Sequence, residues 1–421
     1  MEKYDIVVVG GGPAGLMAAG QAAASGCSVL LLEKMGQCGL KLCITGKGKC
    51  NITNTRSWKD FADHIYPQAD FLRPAFWSFS NEAVLVFFHS IGIDTVKERG
   101  NRIFPACQSA PLVRDALVKW AKERGVHILT RVKVLALEST GKQITSVQYQ
   151  KQEKEVSVIC KAVVLATGGY SFPLTGSDGD GHRLAEQLGH KIIPCFPALT
   201  GLMPKGYDKR LQGITLNNIG LDLRIDGALV REEFGEIIFT DQGIEGSLGY
   251  RLSRQVVMAM CKKQEAVLVL NLKAAIPREQ LEARVHRDAQ RLGMEPVAIF
   301  LRRYMPGELV PPFMGYIGLW PGDFVKELSA DQIQKLLRGL QHWELPIERY
   351  GGYDRAIVTG GGISLQYIRK KDMRSQIMEN LFFAGELIDL DGDTGGYNLQ
   401  IAFSTGALAG KNAADLSQAK A

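Results

Sequence analysis

The chain has 421 residues, 46% hydrophobic and 22% charged, which lies near the globular average and excludes a disordered or fibrous protein. That length exceeds one compact core and predicts two or three domains. Fifty basic against 44 acidic residues give a net charge of +6 with no long Lys/Arg run, which argues against a dedicated nucleic-acid binder.

Glycine is enriched, at 46 of 421 residues, about 11% against a usual share of about 7%. Such an excess suits an α/β fold in which backbone approaches a nucleotide. The eight cysteines show no CxxC and no Cys/His pairing at zinc spacing, so free thiols in a reducing cytoplasm are expected and no metal site is. Residues 6–32 carry no charge and are long enough to span a bilayer. Six glycines and Pro13 divide them, however, into a β-branched run, a turn, an Ala-rich segment and a second apolar run. A buried strand–helix–strand fits that division and a membrane span does not. The chain reads as soluble and cytoplasmic.

In chain order, the pattern predicts a strand over 4–9, a helix over 13–25 and a strand over 28–32. Helices follow near 57–64, 70–78, 80–91 and 109–125, the last with apolar residues at helical spacing. Residues 127–160 predict a small antiparallel meander, and 163–166 a separate buried strand running into Thr167-Gly168-Gly169. A helix is expected near 180–188. From about 196 the character changes to short strands (221–225, 228–230, 267–270) and helices near 247–262, 278–292, 295–303 and 330–341. Glycine-rich α/β character returns near 346, with strands at 356–358 and 381–384 and a small-residue helix from 397. This predicts a Rossmann-like α/β domain, 1–195 with 346–421, split by an inserted α+β substrate domain over 196–345.

The first motif is Gly10-x-Gly12-x-x-Gly15, between a strand and a helix. Gly10 permits the turn, Gly12 lets backbone approach a pyrophosphate, and Gly15 packs helix on strand. Pro13 and Ala14 open the helix, whose N-terminus favours phosphate. Glu33 ends the second strand, placed to accept hydrogen bonds from ribose hydroxyls, with Lys34 beside it. FAD and NAD share this fingerprint. A second site points to FAD: Gly385-Glu386 after a strand, Asp389, and Gly395-Gly396-Tyr397-Asn398-Leu399 opening a helix that would stabilise reduced flavin. Between the two sites lies Thr45-Gly46-Lys47-Gly48-Lys49-Cys50-Asn51, expected to face the cofactor, with Lys41 just before it. Ala166-Thr167-Gly168 would press on the adenine side, and Val134 of the meander joins the cofactor contacts. No second nucleotide fingerprint exists, since Thr359-Gly360-Gly361-Gly362 opens no helix. NAD(P)H, if it is the electron donor, is therefore expected to dock transiently at the flavin; the alternative is electrons arriving from elsewhere.

These segments resemble the FAD-binding flavoprotein family that includes aminoacetone oxidase and the reductases of conjugated double bonds in oxo-bile acids. Further matching segments are 100–105, 166–181, 235–240 and 383–402, so the likeness spans nearly the whole chain. It implies a two-dinucleotide-style flavin fold with an inserted domain. Three departures stand out: Glu245-Gly246-Ser247 replaces the usual Ser-Gly-Pro, His182 stands where Tyr is usual, and Lys49 replaces Arg.

The leading functional reading is reduction of an activated C=C bond of a small molecule, or the reverse dehydrogenation, by hydride transfer through flavin N5. The alternative is oxidation of a small amine with release of hydrogen peroxide. A flavoprotein acting on RNA or as a scaffold is a third reading, disfavoured because no basic patch is clustered. The proton-donor candidates are Arg102, His182, Tyr397 and Tyr170. His64, His89 and His342 sit among apolar helical positions and read as core or surface histidines.

Overall fold

A computed structural model describes residues 2–419. The chain divides into two compact units, Met1–Pro197 with Ile357–Ala421, and Ala198–Ala356.

The first unit is built on a parallel sheet. Its central strand β1 (Lys3–Val9) ends in Ile6-Val7-Val8-Val9, all buried, the continuous β-branched run of a strand covered on both faces. The strand β2 (Val29–Glu33) flanks it on one side and Lys154–Leu165 on the other, both parallel to it. His127–Thr130 lies beyond β2, and Leu381–Phe383 beyond Lys154–Leu165. A strand formed after residue 380 thus completes a sheet begun at residue 3.

The meander does not stop at 160. Lys154–Leu165 is one twelve-residue strand, antiparallel to Gln143–Lys151 in its first half and parallel to β1 in its second. Nothing in the sequence breaks it, because Lys161 occupies an outward position and pairs with Asp5 at 3.0 Å. Asn380 binds the hairpin to the sheet, accepting from Ile144 N–H and donating to the carbonyls of Ile144 and Lys161 at 2.8 Å each.

The helix α1 (Pro13–Ala24) starts on a proline, whose missing N–H costs nothing there, and is apolar all round. Nine of its twelve residues are buried. A Cβ at Gly406 or Gly410 of the final helix (Tyr397–Ala419) would meet the carbonyl oxygens of Ala14 and Ala18 at 2.4 and 2.2 Å. The two helices therefore touch backbone to backbone.

The second unit is a closed six-stranded barrel, in the order Leu202–Pro204, Gly243–Glu245, Ala228–Thr240, Thr215–Ile225, Ala266–Asn271, Trp343–Tyr350. Its long hairpin turns at Asp226-Gly227, both at positive φ, as a tight two-residue turn requires. The strand beginning at 228 runs to Thr240 rather than ending near 230, and only Ile237 and Phe239 near its end are buried. Trp343–Tyr350 closes the barrel by pairing with Ala266–Asn271 on one side and Leu202–Pro204 on the other. That pairing places the unit's second boundary at Ala356, not at 345, because Pro346 hides a strand from a propensity reading.

Gly410→Val should force the two helices apart and destabilise the protein by about 2 kcal/mol or more. The check is a lower urea midpoint at unchanged denaturant slope.

Candidate functional site

The parallel strands end together. Gly10 N–H donates to Leu32 O at 2.8 Å, Ala166 N–H to Val9 O at 2.8 Å, and Ala384 N–H to Leu165 O at 3.0 Å. The segments leaving those strands line one cleft of about 990 Å3, part of it open to solvent, at the strand ends where α/β folds bind ligands. Gly10 is at φ +101°, and a Cβ there would strike Ala166 O at 2.5 Å. Gly15 packs on Gly10 O so closely that a Cβ would stand 1.8 Å away. Gly12 differs, since a Cβ would meet no protein atom within 4 Å. It caps α1 with no side-chain hydrogen bond, so the loop offers bare backbone and a helix N-terminus to the cleft.

Glu33 is buried and lines the cleft. Its Oε2 accepts from Gly11 N–H and its Oε1 from Met35 N–H, both at 2.7 Å. Burial nevertheless holds its carboxyl above the usual range, against the pull of those backbone donors. Each carboxylate oxygen keeps a lone pair for a further donor.

Of the expected cofactor contacts, the lining of this cleft brings together Gly10, Gly12, Pro13, Ala14, Glu33, Lys41, Thr45, Ala166, Thr167, Gly168, Gly385, Glu386, Asn398 and Leu399. Lys34 and Val134 instead line a smaller adjoining cavity of about 390 Å3, which shares Gly10, Glu33, Thr167 and Gly176 with the cleft. Lys34 is paired there with Asp178 and Asp180. Lys41 binds both oxygens of Glu386, at 2.8 and 2.7 Å, and Glu386 Oε1 also accepts from Thr359 N–H at 2.9 Å. Thr167 Oγ1 is buried without a hydrogen-bond partner among the described residues, a free polar group in the lining.

Other expected contacts are absent from it. Gly46 and Gly48 adopt left-handed backbone in a tight turn, Lys49 follows them, and Asp389 lies beside the lining. Cys50 is fully buried, which pushes its thiol up to about 12. Asn51, with its amide oriented to satisfy its neighbours, accepts from Gly396 N–H at 3.0 Å. A Cβ at Gly396 would meet Thr53 O at 2.3 Å. Gly395 offers its carbonyl to Asn54 Nδ2 at 3.0 Å. These two glycines join chain segments, and the cleft begins at Asn398.

The proton-donor candidates are not gathered in the cleft either. Arg102 is exposed, donating to Arg99 O at 3.0 Å and pairing with Glu98 at 3.6 Å. His182 is buried, stacked on Tyr170 at 5.2 Å, with Nε2 bonded to Leu387 O at 3.0 Å. Burial lowers its pKa, so it packs as neutral imidazole. Tyr397 is buried against Phe61 and His64, at ring distances of 4.8 and 4.6 Å. The glycine run at 360–362 serves packing, since Cβ atoms there would strike Phe196, Pro194 O and Leu387 O. Sequence reasoning missed Gly39, Gly176, Val358 and Ala402 of the lining. Gly39, whose N–H donates to Gly11 O at 2.9 Å, carried a signal as a glycine soon after Glu33; Val358 and Ala402 carried none.

A split Rossmann-type sheet with a glycine turn, a strand-end acid and a helix N-terminus on one cleft defines a dinucleotide-binding fold. Residues 4–412 match the HI0933-like protein Rossmann domain family, and the chain belongs to it. It is an FAD-dependent oxidoreductase. It is similar, at 29% identity over 97% of this chain and 99% of the relative, to a 3-dehydro-bile acid delta(4,6)-reductase of Clostridium scindens. It is also similar, at 27% identity over 96% of this chain and 97% of the relative, to a ribosomal RNA dihydrouridine synthase of Haemophilus influenzae. Among solved structures, a 3-ketosteroid delta1-dehydrogenase from Sterolibacterium denitrificans shares the fold. Its TM-score is 0.56 at 13% identity, with 99% of this chain and 100% of that one covered. These relatives lend no support to a small-amine oxidase, and an RNA-named relative removes the ground for excluding nucleic acid. No helix among the described residues is long and apolar enough to cross a membrane.

Burial lowers the pKa of both His182 and His190 below the ordinary 6.5. Below pH 6.5 the unfolded chain binds protons that these rings refuse, so stability present above that pH falls as the pH drops. Each ring should contribute up to about 1.4 kcal/mol per pH unit in that window. His182→Gln should flatten the fall between pH 6.5 and 5.5, measured by urea denaturation.

Proposed function

We propose that the cleft holds FAD and that the protein reduces an activated C=C bond conjugated to a carbonyl. The observation that carries the chemistry is the full-length likeness to a bile-acid double-bond reductase. The residues fit the cofactor: bare backbone at Gly12 and the N-terminus of α1 suit a pyrophosphate, and Glu33 suits ribose hydroxyls. The unpartnered Thr167 Oγ1 offers a hydrogen bond, and the adjoining cavity around Val134 suits the adenine. FAD supplies a two-electron hydride carrier. The chain's own residues bind it and wall off its strand-end face. A nicotinamide donor would dock transiently at the flavin, since no second glycine fingerprint opens a helix. The eight cysteines are free thiols, which supports a cytoplasmic, reducing compartment.

A second reading concerns only the substrate. The RNA-named relatives from Haemophilus influenzae and Escherichia coli favour a uracil ring, whose 5,6 double bond is also conjugated to a carbonyl. Both readings share one reaction. Anaerobic photoreduction of the purified protein, then reoxidation by enones, fumarate-like acids, a uridine-containing RNA and O2, separates them. Rapid reoxidation by O2 alone would sink the reductase reading.

The protein should purify yellow. Glu33→Ala removes charge-assisted hydrogen bonds to the ribose, each contributing roughly 1.5 kcal/mol or more. FAD affinity, read by fluorescence titration of apoprotein, should weaken at least about tenfold; an unchanged affinity removes Glu33 from the site.

A further inference from the structure

We propose that Asp393 and His64 form a proton-delivering couple, with His64 the catalytic acid and Asp393 its positioning residue; the proposal rests on the double-bond reading above. Asp393 is 3% exposed, and a carboxylate that deep requires hydrogen-bonding partners. His64 Nδ1 provides one at 2.8 Å. The ring is held in place, 4.6 Å from the ring of Tyr397, which meets Phe61 edge-on at 4.8 Å. Backbone repeats the tie: Asp393 N–H donates to His64 O at 3.0 Å, and Gly392 pairs with Ile65.

A carboxylate on Nδ1 keeps a proton there and leaves Nε2 as the reacting nitrogen, as in acid–base imidazoles. Nε2 of His64 has no hydrogen-bond partner among the described residues, and the side chain is 20% exposed. The contrast is His190, which is buried and uses both ring nitrogens, on Ala185 O and Ser375 Oγ. His64 leaves its second nitrogen open on a partly exposed ring. The backbone of Asp393 also adjoins the cleft. The Asn398 amide accepts from Gly392 N–H at 2.8 Å and donates to Gly392 O at 2.7 Å and Asp393 O at 3.2 Å. Asn398 itself lines the cleft.

Reduction of C=C adds a hydride to one carbon, taken from the reduced flavin, and a proton to the other. The proton leaves Nε2 of the His64 imidazolium, its N–H bond breaking as the C–H bond forms. The neutral ring keeps its Nδ1 proton on Asp393 and regains the other from water.

The test separates carbon protonation from flavin oxidation. His64→Asn keeps an amide N–H near the Nδ1 position for Asp393 and removes Nε2. In photoreduced holoenzyme, reoxidation by the best double-bond substrate of the panel should slow by at least about 100-fold. Reoxidation by ferricyanide, which protonates no carbon, should stay within about twofold at equal flavin content. In wild type, 15N-histidine NMR should show one imidazole whose Nδ1 keeps its proton when Nε2 loses its own, and Asp393→Asn should release it. An unchanged substrate rate in His64→Asn, with wild type active, overturns the couple's role alone. An equal fall of both rates makes the pair a structural tie and overturns it too. Wild type that reacts with ferricyanide and with no double-bond substrate overturns the reading beneath it, and this role with it.

Discussion

The first unit depends on α1 being held at backbone distance on two sides. On the sheet side Gly15 rests on Gly10 O, and on the helix side Gly406 and Gly410 rest on Ala14 O and Ala18 O. These contacts leave no room for a side chain, so the helix can neither slide nor rotate without a backbone clash. That fixes the direction of its N-terminus and hence where the Gly10–Gly12 loop presents its amides. The same contacts carry the final helix against the sheet, which brings Asn398 and Ala402 to the opposite wall. One rigid contact defines both sides of the cleft.

Charge around the cleft is largely settled within the protein. Lys41 is taken by Glu386, and Lys34 by Asp178 and Asp180, so the net positive charge of the chain is not concentrated there. Recognition of an anion in the lining falls chiefly to backbone N–H groups and the helix dipole. Such donors keep their charge at every pH and need no side-chain ordering on binding. Glu33 stands apart as a buried acid stabilised by two amides, able to accept donors but poorly suited to accept an anion.

Much of this was legible because it is local. The strand–turn–helix at residues 3–24 announces itself through β-branched residues, three glycines and a proline, and the acid at Glu33 follows at the end of the next strand. What escaped was non-local. Lys154–Leu165 reads as two strands because its halves have different partners, one antiparallel and one parallel. Gly395-Gly396 looked like an open approach to a ligand, yet both serve to seat their loop on Thr53 and Asn54; a glycine's spacing cannot say which neighbour it makes room for. His64 and Asp393 lie 329 positions apart. No pattern in one sequence couples residues so distant.

The split of the first unit has a consequence for its birth on the ribosome. The barrel unit is contiguous, from Ala198 to Ala356, so it can fold as soon as it emerges. The parallel sheet cannot, since Leu381–Phe383 supplies its flanking strand and the final helix covers α1. At elongation rates of roughly 5–20 residues per second, the interval between residues 198 and 402 lasts about 10–40 s. During it the apolar face of α1 and the edge of Lys154–Leu165 await partners not yet made, an exposure that invites aggregation or chaperone capture. The cofactor cleft is therefore among the last features of the molecule to exist.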